Sequence, residues 1–181
     1  MSNARNLADV ISGAFDVPAG ALDNAPSPTL TSLGIANHNN ISVDSSGRMT
    51  NSSQPNFVAH ITGTGAYTSV PEGEPAPFND AIYNVGSHFN TATYRFVAPV
   101  SGNYLLSAST LTNSTFSHRP CFYVNGGSNR TNSFQHIVSH GNIIVAIVPL
   151  TANDYVDVRS QGGALNYFGA AHSQFSGILI S

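Results

Sequence analysis

The stretch that decides the fold is "YRFVAPVSGNYLLSAS", Tyr94 to Ser109. Two aromatic-rich strand patterns flank a Pro-x-x-Gly turn, and no catalytic residue type stands beside them. Proline presets the backbone for a turn and glycine lets the chain bend freely. Phe96 and Tyr104 therefore read as core aromatics, with Pro99 to Gly102 reversing the chain between adjacent strands. So specified a piece of sheet is scaffold, and function has to be sought elsewhere in the chain.

Outward from this stretch, the sequence after Pro55 is all β in pattern. Expected strands are 56–61, 92–98, 103–112, 120–124, 133–139, 142–150, 155–160 and 174–180. Turn signals separate them, among them Asn125-Gly126-Gly127, Ala152-Asn153-Asp154 and Gly162-Gly163. Short strands at this spacing, with no helical periodicity between them, predict an all-β sandwich or jelly roll. "NIIVAIVPL" (142–150) is apolar at nearly every position. Either it is a strand buried on both sides, or one of its faces packs on another subunit.

Composition narrows the function. Of 181 residues 41% are apolar, enough for a real core, while only 8% are charged, about a third of the usual share. Lysine is absent, and the basic residues are Arg5, Arg48, Arg95, Arg119, Arg130 and Arg159. A net charge of −3 with no basic run argues against nucleic acid as a partner. No stretch is long and apolar enough to span a membrane, and "MSNARNLADVISGAF" lacks the pattern of a secretion signal, so synthesis in a host cytoplasm is expected. Cys121, the single cysteine, lies in an apolar run and reads as a buried, inert thiol. The sequons at Asn40, Asn51, Asn113 and Asn129 reflect a composition rich in Asn, Ser and Thr.

Residues 1–54 differ from the rest and read as an extended N-terminal docking arm, with a head at 55–181. Leu7, Val10, Ile11 and Phe15 share one face of a helix of two turns at most, capped by Asn6 and limited by Gly13. A helix that short needs a partner to be stable, so these four residues are the candidate anchor. A Pro-rich spacer (16–30) follows, then a small hairpin in "ISVDSSGRMT" (41–50).

"APFNDAIYNVGSHFN" (76–90), the opening stretch, "FYVNGG" (122–127), "VPLTANDYVDV" (148–158) and "SQFSGILIS" (173–181) fall in the order and spacing of one signature. Over residues 55–181 the chain resembles the globular head of the complement first component, subunit q, a branch of the tumour-necrosis-factor-like jelly-roll superfamily. That family carries a Phe-x-x-x-x-Pro-Gly-x-Tyr-x-Phe run, met here by Phe96, Pro99, Gly102, Tyr104 and Leu106. Ser101 separates Val100 from Gly102, Leu106 replaces an aromatic, and Asn153 stands where the family often has glycine. The resemblance implies a homotrimer, with Phe78, Phe89, Phe96, Tyr104, Tyr155, Tyr167 and Phe175 as fold and trimer scaffold. The arm has no collagen repeat, which brings the chains together in the complement relatives. In style it resembles the arms of tailed-phage structural proteins.

Signals for chemistry are weak. His136 and His140 share a strand face, with His118 upstream, and a threefold axis could gather them into a metal ring; no Cys or acidic ligand has matching spacing, so no metal site is assigned. Glu72 and Glu74 lie among Pro and Gly in a loop read as mobile and exposed, unsuited to holding acid–base geometry. Asp154 and Asp157 read as decorating a strand start. "GTGAYT" (63–68) lacks the lysine of a phosphate loop, and no nucleophile elbow or zinc motif occurs. No enzyme and no cofactor are expected. The expected role is a homotrimeric capsid decoration or cement protein on a virion, its arm docked on the major capsid or another structural protein. A tail-fibre or spike tip binding a host glycan or receptor through 114–119 and 162–168 is the alternative, and a secreted recognition module the third reading.

Overall fold

The computed structural model of the chain describes residues 41–63, 65–113, 119–128, 133–138 and 141–181. No helix occurs among them. The expected anchor helix, with Leu7, Val10, Ile11 and Phe15, and the Pro-rich spacer lie outside the described residues. Residues 40–181 group as one compact unit.

The first element is the expected hairpin, β1 (Ile41–Val43) paired with β2 (Met49–Asn51). Asp44 closes its turn by accepting hydrogen bonds from the N–H groups of Ser46 (2.8 Å) and Arg48 (3.0 Å) on one oxygen and from Arg48 Nε (2.6 Å) on the other. In chain order the remaining described strands are β3 (Asn56–His60), β4 (Tyr67–Val70), β5 (Asp80–Val85), β6 (Phe89–Asn90), β7 (Arg95–Val97), β8 (Gly102–Leu111), β9 (Arg119–Val124), β10 (Gly127–Ser128), β11 (Ser133–Val138), β12 (Gly141–Leu150), β13 (Tyr155–Gln161), β14 (Leu165–Phe168) and β15 (Gln174–Leu179).

Two antiparallel sheets dominate. One runs β11-β12-β8-β15-β3-β5, the other β10-β9-β13-β7-β6, and β14 pairs with β4 in a small third sheet. The long strands obey the period of two: Tyr104, Leu106, Ala108 and Thr110 of β8 are buried while the residues between them are not. The five-stranded sheet contributes Phe96, Phe122, Val156 and Val158 from its own inner face. The core between the sheets centres on Phe57, stacked on Phe89 (4.9 Å between centroids) and Phe96 (4.8 Å), with Phe175 edge-on at 4.8 Å.

The opening stretch behaves differently from its expectation in one respect. β7 belongs to the five-stranded sheet and β8 to the six-stranded one, so Pro99 to Gly102 carry the chain from one sheet to the other instead of joining adjacent strands. The turn is fixed by Tyr104, whose hydroxyl donates to the carbonyl of Val100 at 2.8 Å, while its ring packs 5.4 Å from Phe96. β7 is also shorter than the expected 92–98. Residues 91–94 form a turn, with Tyr94 in the left-handed region at φ 61° and Asn90 Oδ1 accepting from the N–H groups of Ala92 and Thr93.

Other turns follow from their residues. Asn125 (φ 50°) and Gly126 (φ 81°) make the two-residue connection between β9 and β10, the left-handed pair that matches the twist of a hairpin. Asn153 adopts φ 74°, a left-handed conformation that asparagine tolerates. Residues 70–77, expected to be mobile, instead lie along β13. The N–H of Ala76 donates to Val158 O (2.8 Å), that of Gly73 to Ser160 O (3.3 Å), and Glu72 Oε1 accepts from Gly162 N (2.7 Å).

Candidate functional site

Sheets of a sandwich spend one face on the core, so function falls to the outer faces and loops. On the six-stranded sheet, β12 resolves the question raised by its sequence: Ile144, Ala146, Val148 and Leu150 are buried inward, while Ile143 and Ile147 point outward and are 46% and 53% exposed. Register makes these outward residues continuous. Ile147 lies opposite Leu105 on β8, and Leu105 opposite Ile178 on β15. The next row runs Val145, Ser107, Ser176, Val58 and Tyr83, ending with a tyrosine 53% exposed. Val58, Tyr83, Leu105 and Ile178 border a shallow groove of about 390 Å³.

The electrostatics of this face are as distinctive as its shape. β3, β8, β12 and β15 carry no Asp, Glu, Lys or Arg at any position. These four strands, 5 to 10 residues long, present on the order of 500 Å², a substantial part of the ~800 Å² per partner of a stable protein interface. A protein surface normally breaks up so large an apolar patch with charge. The face is chemically suited to burial against another uncharged surface and to little else.

The residues expected as scaffold fall into two groups. Phe78, Phe89, Phe96, Tyr104, Tyr167 and Phe175 are buried in the core between the sheets. Tyr155 is half-buried on the outer face of the five-stranded sheet, where the Arg95 guanidinium lies 4.2 Å from its ring centroid. Phe57, central to the aromatic cluster, is absent from the sequence-based set, although its place in the alternating "NFVAH" run is a usable signal. Asn84 stitches a tight turn: Nδ2 donates to Phe89 O (2.8 Å) and Oδ1 accepts from Phe89 N (3.0 Å).

Other candidate positions separate. His118 and His140 lie outside the described residues, and His136 is placed by register opposite Ile143. Among the described residues no three His, Cys, Asp or Glu side chains gather closely enough to hold a metal. Cys121 is buried, its Sγ 3.3 Å from Gln161 Oε1. Residues 114–118 lie outside the described set, and the second expected loop ends in a strand, β14, whose Leu165 and Tyr167 are buried. Burial pushes the Tyr167 hydroxyl far above the usual tyrosine range.

Asp154 and Asp157 differ sharply. Asp154 accepts from Thr151 N (2.7 Å) and Asn125 Nδ2 (2.7 Å), and these bonds, the one from Asn125 first, hold its carboxyl below the usual range. Asp157 does not decorate the strand start as expected: it is completely buried, paired with Arg95 and Arg159. The signal for this lies in the alternation Tyr155-Asp157-Arg159, which puts three polar-tipped side chains on one face of β13.

Known proteins agree with this architecture. Residues 57–180 match the family described as the C1q domain. Mouse complement C1q tumor necrosis factor-related protein 7 is 31% identical over 125 residues, which cover 64% of this chain. The same match takes in 42% of the mouse protein, so the chain spans well under half the length of that curated relative. Among solved structures, the Eiger TNF of S. frugiperda superposes with a TM-score of 0.53 at 16% identity, covering 70% of this chain and 94% of that one. Murine APRIL gives 0.51 at 12% identity, covering 69% and 99%. With the family pattern matched from β3 to the final strand, the chain belongs to the C1q domain family.

Proposed function

We propose that this chain is a non-enzymatic homotrimeric binding head, in which the outer face of the six-stranded sheet is the self-association surface. The observation that carries the reading is the continuous row Ile147–Leu105–Ile178 across β12, β8 and β15, three strands without a single formal charge. Apolar area of this kind contributes roughly 25 cal/mol per Å² on burial and destabilises a surface left exposed to neighbours. Charge depletion is what an interface core requires, since a buried unpaired charge is costly. Membership of the C1q domain family and the likeness to tumour-necrosis-factor folds support self-association as the use of the face.

The platform that displays the head is, in our reading, a virus particle. The arm, residues 1–54, docks on the major capsid or another virion protein through Leu7, Val10, Ile11 and Phe15, and the head projects as decoration or cement. Support comes from the amphipathic run and Pro-rich spacer ahead of the head and from a charge-poor composition suited to permanent contacts. A secreted recognition module is the second reading, favoured by the 31% identity to the mouse relative.

Ile147→Glu tests the interface: it places a carboxylate at the β12 end of the apolar row, at a position exposed in the single chain. The variant is expected to keep its thermal transition yet run as a monomer at micromolar concentration. A trimer that survives Ile147→Glu together with Ile178→Glu refutes this surface. For the platform, deletion of residues 1–25 is expected to abolish incorporation into particles while leaving the truncated chain assembled. Normal decoration of particles by the truncated chain refutes the arm, and absence of the full chain from purified particles favours the secreted module.

A further inference from the structure

The outer face of the five-stranded sheet holds a second, unrelated arrangement. β13 sends Val156 and Val158 into the core and Tyr155, Asp157 and Arg159 outward. Asp157, fully buried, is roofed by two guanidinium groups. Its Oδ1 accepts from Arg159 Nε at 2.6 Å, and its Oδ2 accepts from Arg159 Nη2 at 2.8 Å and from Arg95 Nε at 3.2 Å. Arg159 spends its third nitrogen too, Nη1 donating to Gly73 O at 2.8 Å. Each guanidinium also lies over a tyrosine ring, Arg95 over Tyr155 at 4.2 Å and Arg159 over Tyr123 at 5.1 Å.

The two arginines are therefore not equivalent. Arg159 is a structural cation, 14% exposed along its side chain with every nitrogen donating, and Glu74 adds to the negative field around it. Among the described residues Arg95 donates only through Nε, and 34% of its side chain is exposed. Asp157 and Glu74 together balance the two guanidinium charges, so what the cluster offers a ligand is uncommitted donors. Those donors are Nη1 and Nη2 of Arg95, a planar fork on a guanidinium fixed by Asp157 through Nε and by the Tyr155 ring beneath it. Ordering that a free arginine would pay on binding has already been imposed by the fold.

We propose that the Arg95 edge is a receptor for a single carboxylate, carried by an acidic saccharide of the hexuronic acid type. A planar fork matches a planar carboxylate through two parallel hydrogen bonds. A polyanion is not favoured, because Arg95 is the one arginine of the cluster with donors to spare. A protein partner is not favoured either: Val97 is the exposed large apolar side chain closest in sequence to Arg95, at 37%, against the long apolar rows of the other sheet. Asn90, the register partner of Arg95 on β6, has its oxygen committed to the turn, and among the described residues its Nδ2 makes no hydrogen bond, so it supplies a donor for a ring hydroxyl. The site lies within one chain and does not rest on trimer formation.

The test is a titration of the full-length chain with glucuronate, glucose and glutamate at matched ionic strength, followed by NMR at the Arg95 Nε–H and the Tyr155 ring. Glucuronate is expected to shift both saturably, glucose to shift neither, and glutamate to bind several-fold more weakly. Arg95→Lys keeps the charge and removes the fork, so its affinity for glucuronate is expected to fall roughly tenfold. Should that variant fold poorly, phenylglyoxal labelling of the wild-type chain decides: glucuronate is expected to protect Arg95 and glucose not to. Absence of a saturable shift, an equal response to glutamate, undiminished binding by folded Arg95→Lys, or unprotected Arg95 each overturn the proposal.

Discussion

Gly177 occupies a position that no larger side chain fits. A Cβ there would lie 2.7 Å from both Leu106 Cδ2 and Phe57 Cε1, atoms of two fully buried side chains. Gly177→Ala is expected to destabilise the fold by about 1–3 kcal/mol, the usual range for overpacking, read as a lowered midpoint in thermal or urea denaturation. Phe175→Ala, which empties a ring touching Phe57, Phe78, Phe89 and Phe122, is expected to cost about 3–5 kcal/mol in the same measurement. Asp154 gives a pH signature. Its folded carboxyl titrates below the ~3.9 of an unfolded aspartate, so its contribution is complete above about pH 4 and fades as the pH falls through the folded value. Asp154→Asn is expected to flatten the acid limb of stability against pH; an unchanged acid limb contradicts the assignment. At this scale the sequence reveals much: Phe96 and Tyr104 read as core aromatics from the strand patterns around the turn, and both are buried. Phe175, also buried, is named only through the resemblance. Asp157 does not read as buried, because a carboxylate's burial depends on two guanidinium groups, one of them 62 residues away.

Elements were legible where both strand length and alternation were present. β8, β12, β13 and β15 lie within a residue or two of their expected limits, since each is long enough for its inward residues to declare a face. β4, β5 and β14 are missing from the expectation for physical reasons. β4 exposes three of its four residues, so it has no apolar period to detect. β5 is an edge strand, and the register shift opposite Val58 and Ala59 breaks the alternation of "DAIYNV". The opposite error occurred at 92–94, where an apolar–aromatic run turns on a left-handed Tyr94. Between β9 and β10, Gly126→Ala is expected to cost about 1–2 kcal/mol, because φ 81° is unfavourable for a side chain; an unchanged denaturation midpoint contradicts the left-handed turn.

For the whole molecule, two outer faces of opposite chemistry lie on one sandwich. One is apolar and free of charge across β12, β8, β15 and β3; the other concentrates buried charge around Asp157. That the apolar face belongs to β12 was half-legible: the sequence "NIIVAIVPL" allowed burial on both sides or contact with another subunit, and the exposed Ile143 and Ile147 exclude the first within one chain. Which surface a neighbouring chain covers depends on register across β12, β8 and β15, information no single strand contains. The account's central claim is that this face joins three copies of the chain. The most direct test is the native mass of purified full-length protein at micromolar concentration. The account predicts a species of three 19.0 kDa chains that falls to one chain on Ile147→Glu. A monomer of the unaltered chain under the same conditions would contradict it.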